Sequence, residues 1–243
     1  MKIGGFQKFS LLDYPGHLAA IVFTRGCNFR CPYCHNPELV DPNRYGELIP
    51  EQEVMDFLIS RQGKLGAVSI TGGEPTLQED LIGFLRKLRS MKYLIKIDTN
   101  GSRPEVLEEI SREGLVDYWA MDIKAPPHLY KLVTGYDLDF EQIIASMDIL
   151  RASGKDYEFR TTFFDALFNW SDLSLISALL KPGDHFYLQQ CRYDNTLDGV
   201  QSSGLAKHSK DGSEYFHLVE HPACQNLLEW GGRNRVNVGI RSL

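Results

Sequence analysis

Long hydrophobic runs are missing from this chain of 243 residues. A membrane-spanning helix needs about 18 consecutive apolar residues, and the longest clean run, from Leu18 to Phe23, has six. The first ten residues lack the apolar stretch of a secretory signal, so the sequence predicts a cytoplasmic protein. A basic excess is lacking too. Lys and Arg total 26 against 32 Asp and Glu, a net charge of −6, which argues against sequence-blind nucleic-acid binding. No glycine period and no low-complexity tract occur, which excludes collagen-like architectures. A content of 43% hydrophobic residues excludes a disordered chain. Cysteine is sparse at five residues, and in a reducing compartment a disulfide framework is not expected. Three of the five nevertheless fall within eight residues, which turns attention to metal ligation or reactive thiols.

The rest of the chain alternates short β-rich runs with helical patterns. Leu18 to Phe23 is apolar on both faces, as a buried parallel strand requires. Similar runs lie at 67–71, 93–99, 118–123, 157–163 and 185–189. Segments of helical period separate them at 50–62, 77–91, 104–113, 140–153 and 172–180. Single helices between strands imply βαβ units and a parallel sheet. Six such strands are fewer than a closed eight-stranded barrel needs, so the expected fold is α/β, a partial (β/α)6 barrel. Beyond Cys191 a polar loop over 192–212 is expected, then a helix at 222–230 and a strand at 235–240. The expected organisation is a core over 1–190, with an N-terminal extension at 1–17, and a C-terminal extension at 191–243 packed on the same domain.

Cys27-x3-Cys31-x2-Cys34 sits on a loop directly after the first of these strands. Three thiolates can hold three irons of a [4Fe–4S] cluster and leave the fourth iron open. Soft sulfur ligands suit iron–sulfur clusters and zinc alike, and a structural zinc normally takes four ligands, so spacing alone leaves both open. Position favours the cluster, because parallel α/β folds bind ligands at the carboxyl ends of their strands. Each strand here ends in a polar or glycine-rich motif: Thr71-Gly72-Gly73-Glu74-Pro75, Asp98-Thr99-Asn100-Gly101, Asp122-Ile123-Lys124, Arg160-Thr161-Thr162 and Gln189-Gln190.

The three-cysteine motif followed by Gly-Gly-Glu-Pro resembles the radical S-adenosylmethionine (SAM) superfamily. Leu12-Asp13-Tyr14-Pro15-Gly16 and Cys34-His35-Asn36 resemble the glycyl-radical enzyme activating enzymes. Within those, residues 11–40 are most similar to the anaerobic ribonucleoside-triphosphate reductase activating proteins. The resemblance covers about residues 3–190; it is specific up to Glu74, good at Asp122-Ile123-Lys124 and weak beyond Arg160.

It implies a [4Fe–4S] cluster on Cys27, Cys31 and Cys34 and a bound SAM chelating the open iron. It implies that SAM is cleaved to a 5′-deoxyadenosyl radical, which takes hydrogen from a glycine of a partner enzyme, here anaerobic ribonucleotide reductase. A flavodoxin or ferredoxin-type protein would donate the electron. Tyr33 would lie near the adenine. The Gly72-Gly73 loop would meet the methionine amino group, with Glu74 buttressing it. Asp98, Asp122, Lys124 and Arg160 would orient the ribose and the carboxylate. Asp98, Thr99 and Asp122 also match a monovalent-cation site, and Asp13 and His35 match positions facing the partner's loop. Gln189 and Gln190 stand where some relatives place a histidine. Each motif also has a plainer reading: a tight turn at Gly72-Gly73, ion pairs at the strand ends, packing at Tyr33 and His35. His217, His221 and Cys224 with Cys191 could close a zinc shell, although isolated cytosolic cysteines are mostly small core residues. Two other functions fit the same motif: a radical SAM enzyme acting on a small molecule or peptide, as in deazapurine pathways, and a non-enzymatic metal-binding module.

Overall fold

The computed structural model describes residues 1–164, 166–167, 169–191, 196–198, 207–208, 214–215 and 221–241. In chain order the elements are β1 (Ile3–Ser10), β2 (Ala19–Thr24), α1 (Pro37–Val40), α2 (Glu51–Arg61), β3 (Ala67–Gly72), α3 (Leu81–Ser90), β4 (Leu94–Thr99), α4 (Pro104–Arg112), β5 (Tyr118–Asp122), α5 (Tyr130–Thr134), α6 (Glu141–Ala152), β6 (Asp156–Phe163), α7 (Asp172–Ser177), β7 (His185–Gln190), β8 (Lys207–His208), β9 (Glu214–Tyr215), α8 (Pro222–Asn234) and β10 (Asn237–Arg241). β1 to β5 are hydrogen-bonded neighbours in that order, β7 lies between β6 and β10, and β8 and β9 form an antiparallel pair of their own. The α/β class and the parallel strands read from the sequence are those observed. No helix among the described residues is long and apolar enough to cross a membrane.

Contacts divide the chain into two units. The first comprises Met1–Phe29, Asn36–Met121 and Glu141–Tyr157. Its strands run in the order β1-β2-β3-β4-β5, with β1 antiparallel to β2 and the rest parallel. The parallel strands are built from side chains buried on both faces, among them Ile21, Val22, Val68, Ile70, Ile95, Ile97, Trp119 and Met121. A near-continuous apolar run is what a covered parallel sheet demands. In α3, Leu81, Phe84, Leu85 and Leu88 are all buried, the i, i+3, i+4, i+7 stripe of a helix lying on a core. Pro104 opens α4 at its first turn, where its missing N–H costs nothing, and Leu107 and Ile110 face inward.

The second unit comprises Arg30–His35, Asp122–Phe140 and Glu158–Leu243. Here β6, β7 and β10 are neighbours and parallel, with Phe159 opposite Phe186 and Val238 opposite Phe186 on the other side. The residues following β5 join β6 through Ile123 N to Arg160 O at 2.8 Å and Thr161 Oγ1 to Ile123 O at 2.8 Å.

Several boundaries differ from the sequence reading. The N-terminal extension contains a full strand, β1. The helix expected over 77–91 starts only at Leu81, because a 3₁₀ turn at Pro75–Leu77 precedes it. The last helix continues to Asn234 rather than stopping at Trp230. A side chain at Gly231 would lie 2.5 Å from Val238 Cγ2, so α8 meets β10 where it has no side chain. Of the loop expected over 192–212, only 196–198 and 207–208 are among the described residues.

Candidate functional site

In the first unit the end of β2 and the Gly-Gly-Glu loop are joined through backbone. Gly73 N donates to Thr24 O and Glu74 N to Gly26 O, both at 2.8 Å. A Cβ on Gly73 would sit 2.1 Å from Gly26 O, and one on Gly72, at φ +110°, 2.6 Å from Thr24 N. The glycine pair is therefore required by the chain leading into the cysteine loop, since no other residue lets two backbones approach this closely.

Glu74 is buried, and both its oxygens accept from protein donors. Oε1 takes Thr76 N (3.1 Å), Thr76 Oγ1 (2.7 Å) and Thr99 Oγ1 (2.8 Å); Oε2 takes Asn100 N (2.6 Å). Burial pushes its carboxyl above the ordinary glutamate range, and these hydrogen bonds oppose part of that rise. Asn100 carries the network onward. Its Nδ2 donates to Asn28 Oδ1 at 2.9 Å and to Cys27 Sγ at 3.8 Å, and Phe29 N donates to the same sulfur at 3.3 Å. Asn28 in turn donates to Ser102 Oγ at 2.9 Å. N–H donors aimed at a sulfur stabilise its thiolate form. In the sequence Asn100 has no role beyond its place in the Asp98-Thr99-Asn100-Gly101 motif, and no motif includes Asn28 or Ser102.

Three other expected residues in this unit already have partners. Asp98 accepts from Lys96, two residues earlier on the same face of β4. Thr99 Oγ1 donates to Glu74 and accepts from Gly101 N at 3.1 Å. Asp13 is half-buried three residues beyond β1 and accepts from Ser10 Oγ.

In the second unit Cys31-Pro32-Tyr33-Cys34 forms a tight turn, closed by Cys34 N to Cys31 O at 3.0 Å. Pro32 supplies the fixed φ such a turn favours at its second position. Cys31 is buried, Cys34 and His35 half-buried. Tyr33 is buried, donates to Lys124 O at 3.2 Å and leans on Phe164 with ring centroids 5.1 Å apart. Burial first, then the neighbouring Cys31 and Asp122, pushes its phenol well above the ordinary range.

Asp122 lies between two cations. Arg160 Nε donates to Oδ1 at 2.9 Å and Lys124 Nζ to Oδ2 at 3.0 Å. Burial alone would raise the Asp122 carboxyl, but Arg160 and Lys124 outweigh it and hold the group far below the ordinary aspartate range. Desolvation would likewise lower Lys124, and Asp122 outweighs that to raise it. Behind this trio, buried Glu158 accepts both ends of the Arg241 guanidinium at 2.8 Å and has Arg160 Nη1 at 3.9 Å. Arg241 also lies over the Tyr187 ring at 3.6 Å.

Among the described residues no three His, Cys, Asp or Glu side chains converge on a single-ion position. His221 caps α8 by accepting from Ala223 N at 3.2 Å and stacks on Trp170 at 3.9 Å. Cys224 is buried, which pushes its thiol up to about 11. His217 lies outside the described residues. These roles leave the zinc shell without support. A cluster makes a different demand, since each of its thiolates takes a separate iron.

A family model for the radical SAM superfamily matches residues 21–175. A Methanocaldococcus jannaschii protein provisionally named glycyl-radical enzyme activating enzyme MJ1227 is 34% identical over 202 residues, covering 81% of this chain and 82% of that one. A 7-carboxy-7-deazaguanine synthase of Methanothermobacter thermautotrophicus is 40% identical over 112 residues, covering 44% of this chain and 42% of the synthase. Among solved structures, Streptococcus suis SuiB bound to S-adenosylmethionine superposes with a TM-score of 0.65 at 13% identity, over 92% of this chain and 51% of SuiB. The chain thus spans only about half the length of that neighbour. The superfamily implies an iron–sulfur cluster and SAM, and the donor set fits: three soft thiols on one short loop, with two N–H donors on the Cys27 sulfur. By the length and identity of these matches, the chain belongs to the radical SAM superfamily.

Proposed function

We propose that the protein is a glycyl-radical enzyme activating enzyme whose partner is anaerobic ribonucleoside-triphosphate reductase. The observation that carries the activase reading is the 34% identity to MJ1227 along four fifths of both chains. The reductase as partner rests on the similarity of residues 11–40 described above.

Cys27, Cys31 and Cys34 hold the cluster. Cluster and SAM, when bound, supply a reductive cleavage that generates a 5′-deoxyadenosyl radical. The chain's residues bind, orient and shield. Asn100 and the Phe29 amide stabilise the Cys27 thiolate. Glu74 fixes the Gly72-Gly73 loop, whose backbone would meet the methionine amino group. Asp122 restrains Lys124 and Arg160, and the trio keeps one net positive charge for the SAM carboxylate. Tyr33 supplies an aromatic wall for the adenine. Asp13 and His35 meet the partner's glycine loop, and a flavodoxin or ferredoxin-type protein supplies the electron. A monovalent cation gains no support, because Lys96 already neutralises Asp98 and Glu74 engages Thr99.

The test is an anaerobic incubation of the reconstituted protein with dithionite, SAM and the reductase. A glycyl-radical EPR doublet on the reductase, with one 5′-deoxyadenosine released per radical, is expected. The identity to the deazaguanine synthase favours a second reading, a small-molecule substrate. No doublet with an intact cluster, together with 5′-deoxyadenosine release stimulated by a small molecule of the deazapurine type, would establish that reading instead.

A further inference from the structure

The chain beyond β7 returns to the cysteine loop. Leu197 N donates to Cys34 O at 3.1 Å and Asp198 N to Pro32 O at 3.3 Å, joining residues more than 160 positions apart in sequence, all within the second unit. Thr196 and Leu197 are buried and Asp198 is exposed. The turn bond between Cys31 and Cys34 uses Cys31 O and Cys34 N, so it leaves the carbonyls of Pro32 and Cys34 to find donors elsewhere. Both residues are half-buried, and the amides of 197 and 198 satisfy these carbonyls. Arg30 N to Thr134 O at 2.7 Å and Tyr33 Oη to Lys124 O hold the same loop elsewhere.

We infer that residues 196–198 are a strap that positions the Cys31 and Cys34 thiols by binding the backbone of their turn. The inference deepens the cluster reading proposed above and rests on it for its purpose. The strap's action is on the loop itself, so it is measurable without a cluster. Two amide donors set the orientation of the Pro32–Tyr33 and Cys34–His35 peptide units, one at each end of the Tyr33-Cys34 pair. Outer-shell groups of this kind orient first-shell ligands and are felt in metal affinity.

The experiment uses the full-length chain, first without and then with its cluster. Leu197→Pro and Asp198→Pro each delete one donor; Leu197→Met and Asp198→Ala keep the amides. In the cluster-free chain, iodoacetamide should alkylate Cys31 and Cys34 about fivefold faster in each proline variant, the factor for one lost hydrogen bond. Cys224, buried on α8, reports the integrity of the rest. Unchanged rates at Cys31 and Cys34, or an equal rise at Cys224, overturn the strap. Hydrogen exchange on the unsubstituted chain tests it without any variant: amides 197 and 198 should be protected, and free exchange at both overturns it. After reconstitution, the proline variants should lose iron faster in air than the Met and Ala variants. Failure of the unsubstituted chain to take up iron would sink the cluster reading alone, while the alkylation and exchange results still decide the strap.

Discussion

Arg160, within β6, and Asp122, at the end of β5, meet through a charge-assisted hydrogen bond of 2.9 Å. The pair does not stand alone. Each partner has a second counter-charge, Lys124 on Asp122 and Glu158 near Arg160, and Glu158 is itself held by Arg241. Charges alternate along this row of five, so moving any one member alters the balance at the next. Asp122, Lys124 and Arg160 are also the residues proposed to meet SAM, which makes the row testable from both ends.

At the Asp122 end, Asp122→Asn leaves two cations facing a neutral amide. Breaking a buried pair costs about 3–5 kcal/mol; Asp122 and Lys124 each keep about a fifth of their side-chain surface exposed, so about 2–4 kcal/mol is expected. The pH dependence has a fixed sign. The folded-state carboxyl is depressed, so its contribution is present above the ordinary aspartate value of about 4 and is lost as pH falls toward the folded value. Urea unfolding at pH 7 and pH 3 should show the gap between the two proteins narrowing at the lower pH. A gap that widens would contradict the assignment.

At the other end, Arg241→Ala takes the two-pronged partner from buried Glu158, which also has Arg160 as a counter-charge. Arg160 should then swing toward Glu158 and away from Asp122. The expected readout is SAM affinity reduced by about tenfold, equivalent to about 1.4 kcal/mol. Arg241→Lys should be intermediate, since an ammonium keeps the charge but loses the two-pronged contact and the stacking on Tyr187. Calorimetric titration of SAM into the reconstituted proteins would show it. Equal affinities across all three would mean that β10 does not act on the site.

Much of this architecture was legible in the sequence, and the reason is physical. Strands covered on both faces are continuous apolar runs, so β2 to β7 stood out. The polar motifs closing them were equally plain. β1 was not, because Ile3-Gly4-Gly5-Phe6 shows neither a clean alternation nor a covered run. Its place is set by antiparallel pairing to β2, and a side chain at Gly4 would lie 2.5 Å from Leu39 Cδ2, a constraint local pattern does not carry. In the site, residue types were readable but partners were not. Glu74 was expected to buttress a ligand loop, and the four donors it accepts from come from two separate strand ends. Asn100 looks like ordinary turn chemistry until the fold brings Cys27 to its amide.

Asn100→Leu removes a side-chain donor from the Cys27 sulfur while preserving bulk. Hydrogen bonds to cluster sulfurs are among the factors that set potential, and losing one makes added negative charge harder to hold. The cluster should therefore be reduced at a more negative potential, and iron affinity should fall by about ten- to a hundredfold. EPR-monitored redox titration and iron analysis check both. A potential unchanged from that of the unsubstituted protein would remove Asn100 from the site.

Two glycines give opposite expectations from the same substitution. At Gly73 a methyl group would collide with Gly26 O, and that backbone cannot retreat: Gly26 N is held by Leu39 O and Gly26 O by Glu74 N. Forced overpacking costs about 1–3 kcal/mol, more where backbone rather than side chain must move. At Gly83, inside α3, nothing lies within 4 Å of the added carbon, so alanine gains up to about 1 kcal/mol of helix propensity. For a chain this size about 1 kcal/mol moves Tm by about 2–4 °C. Thermal unfolding should thus place Gly73→Ala several degrees below the unsubstituted protein and Gly83→Ala slightly above it. Cluster content should fall in the first and stay level in the second, because only Gly73 is tied to the chain that enters the cysteine loop. If Gly73→Ala melts normally and takes up a full cluster, the close backbone approach between the two loops is not what the site depends on.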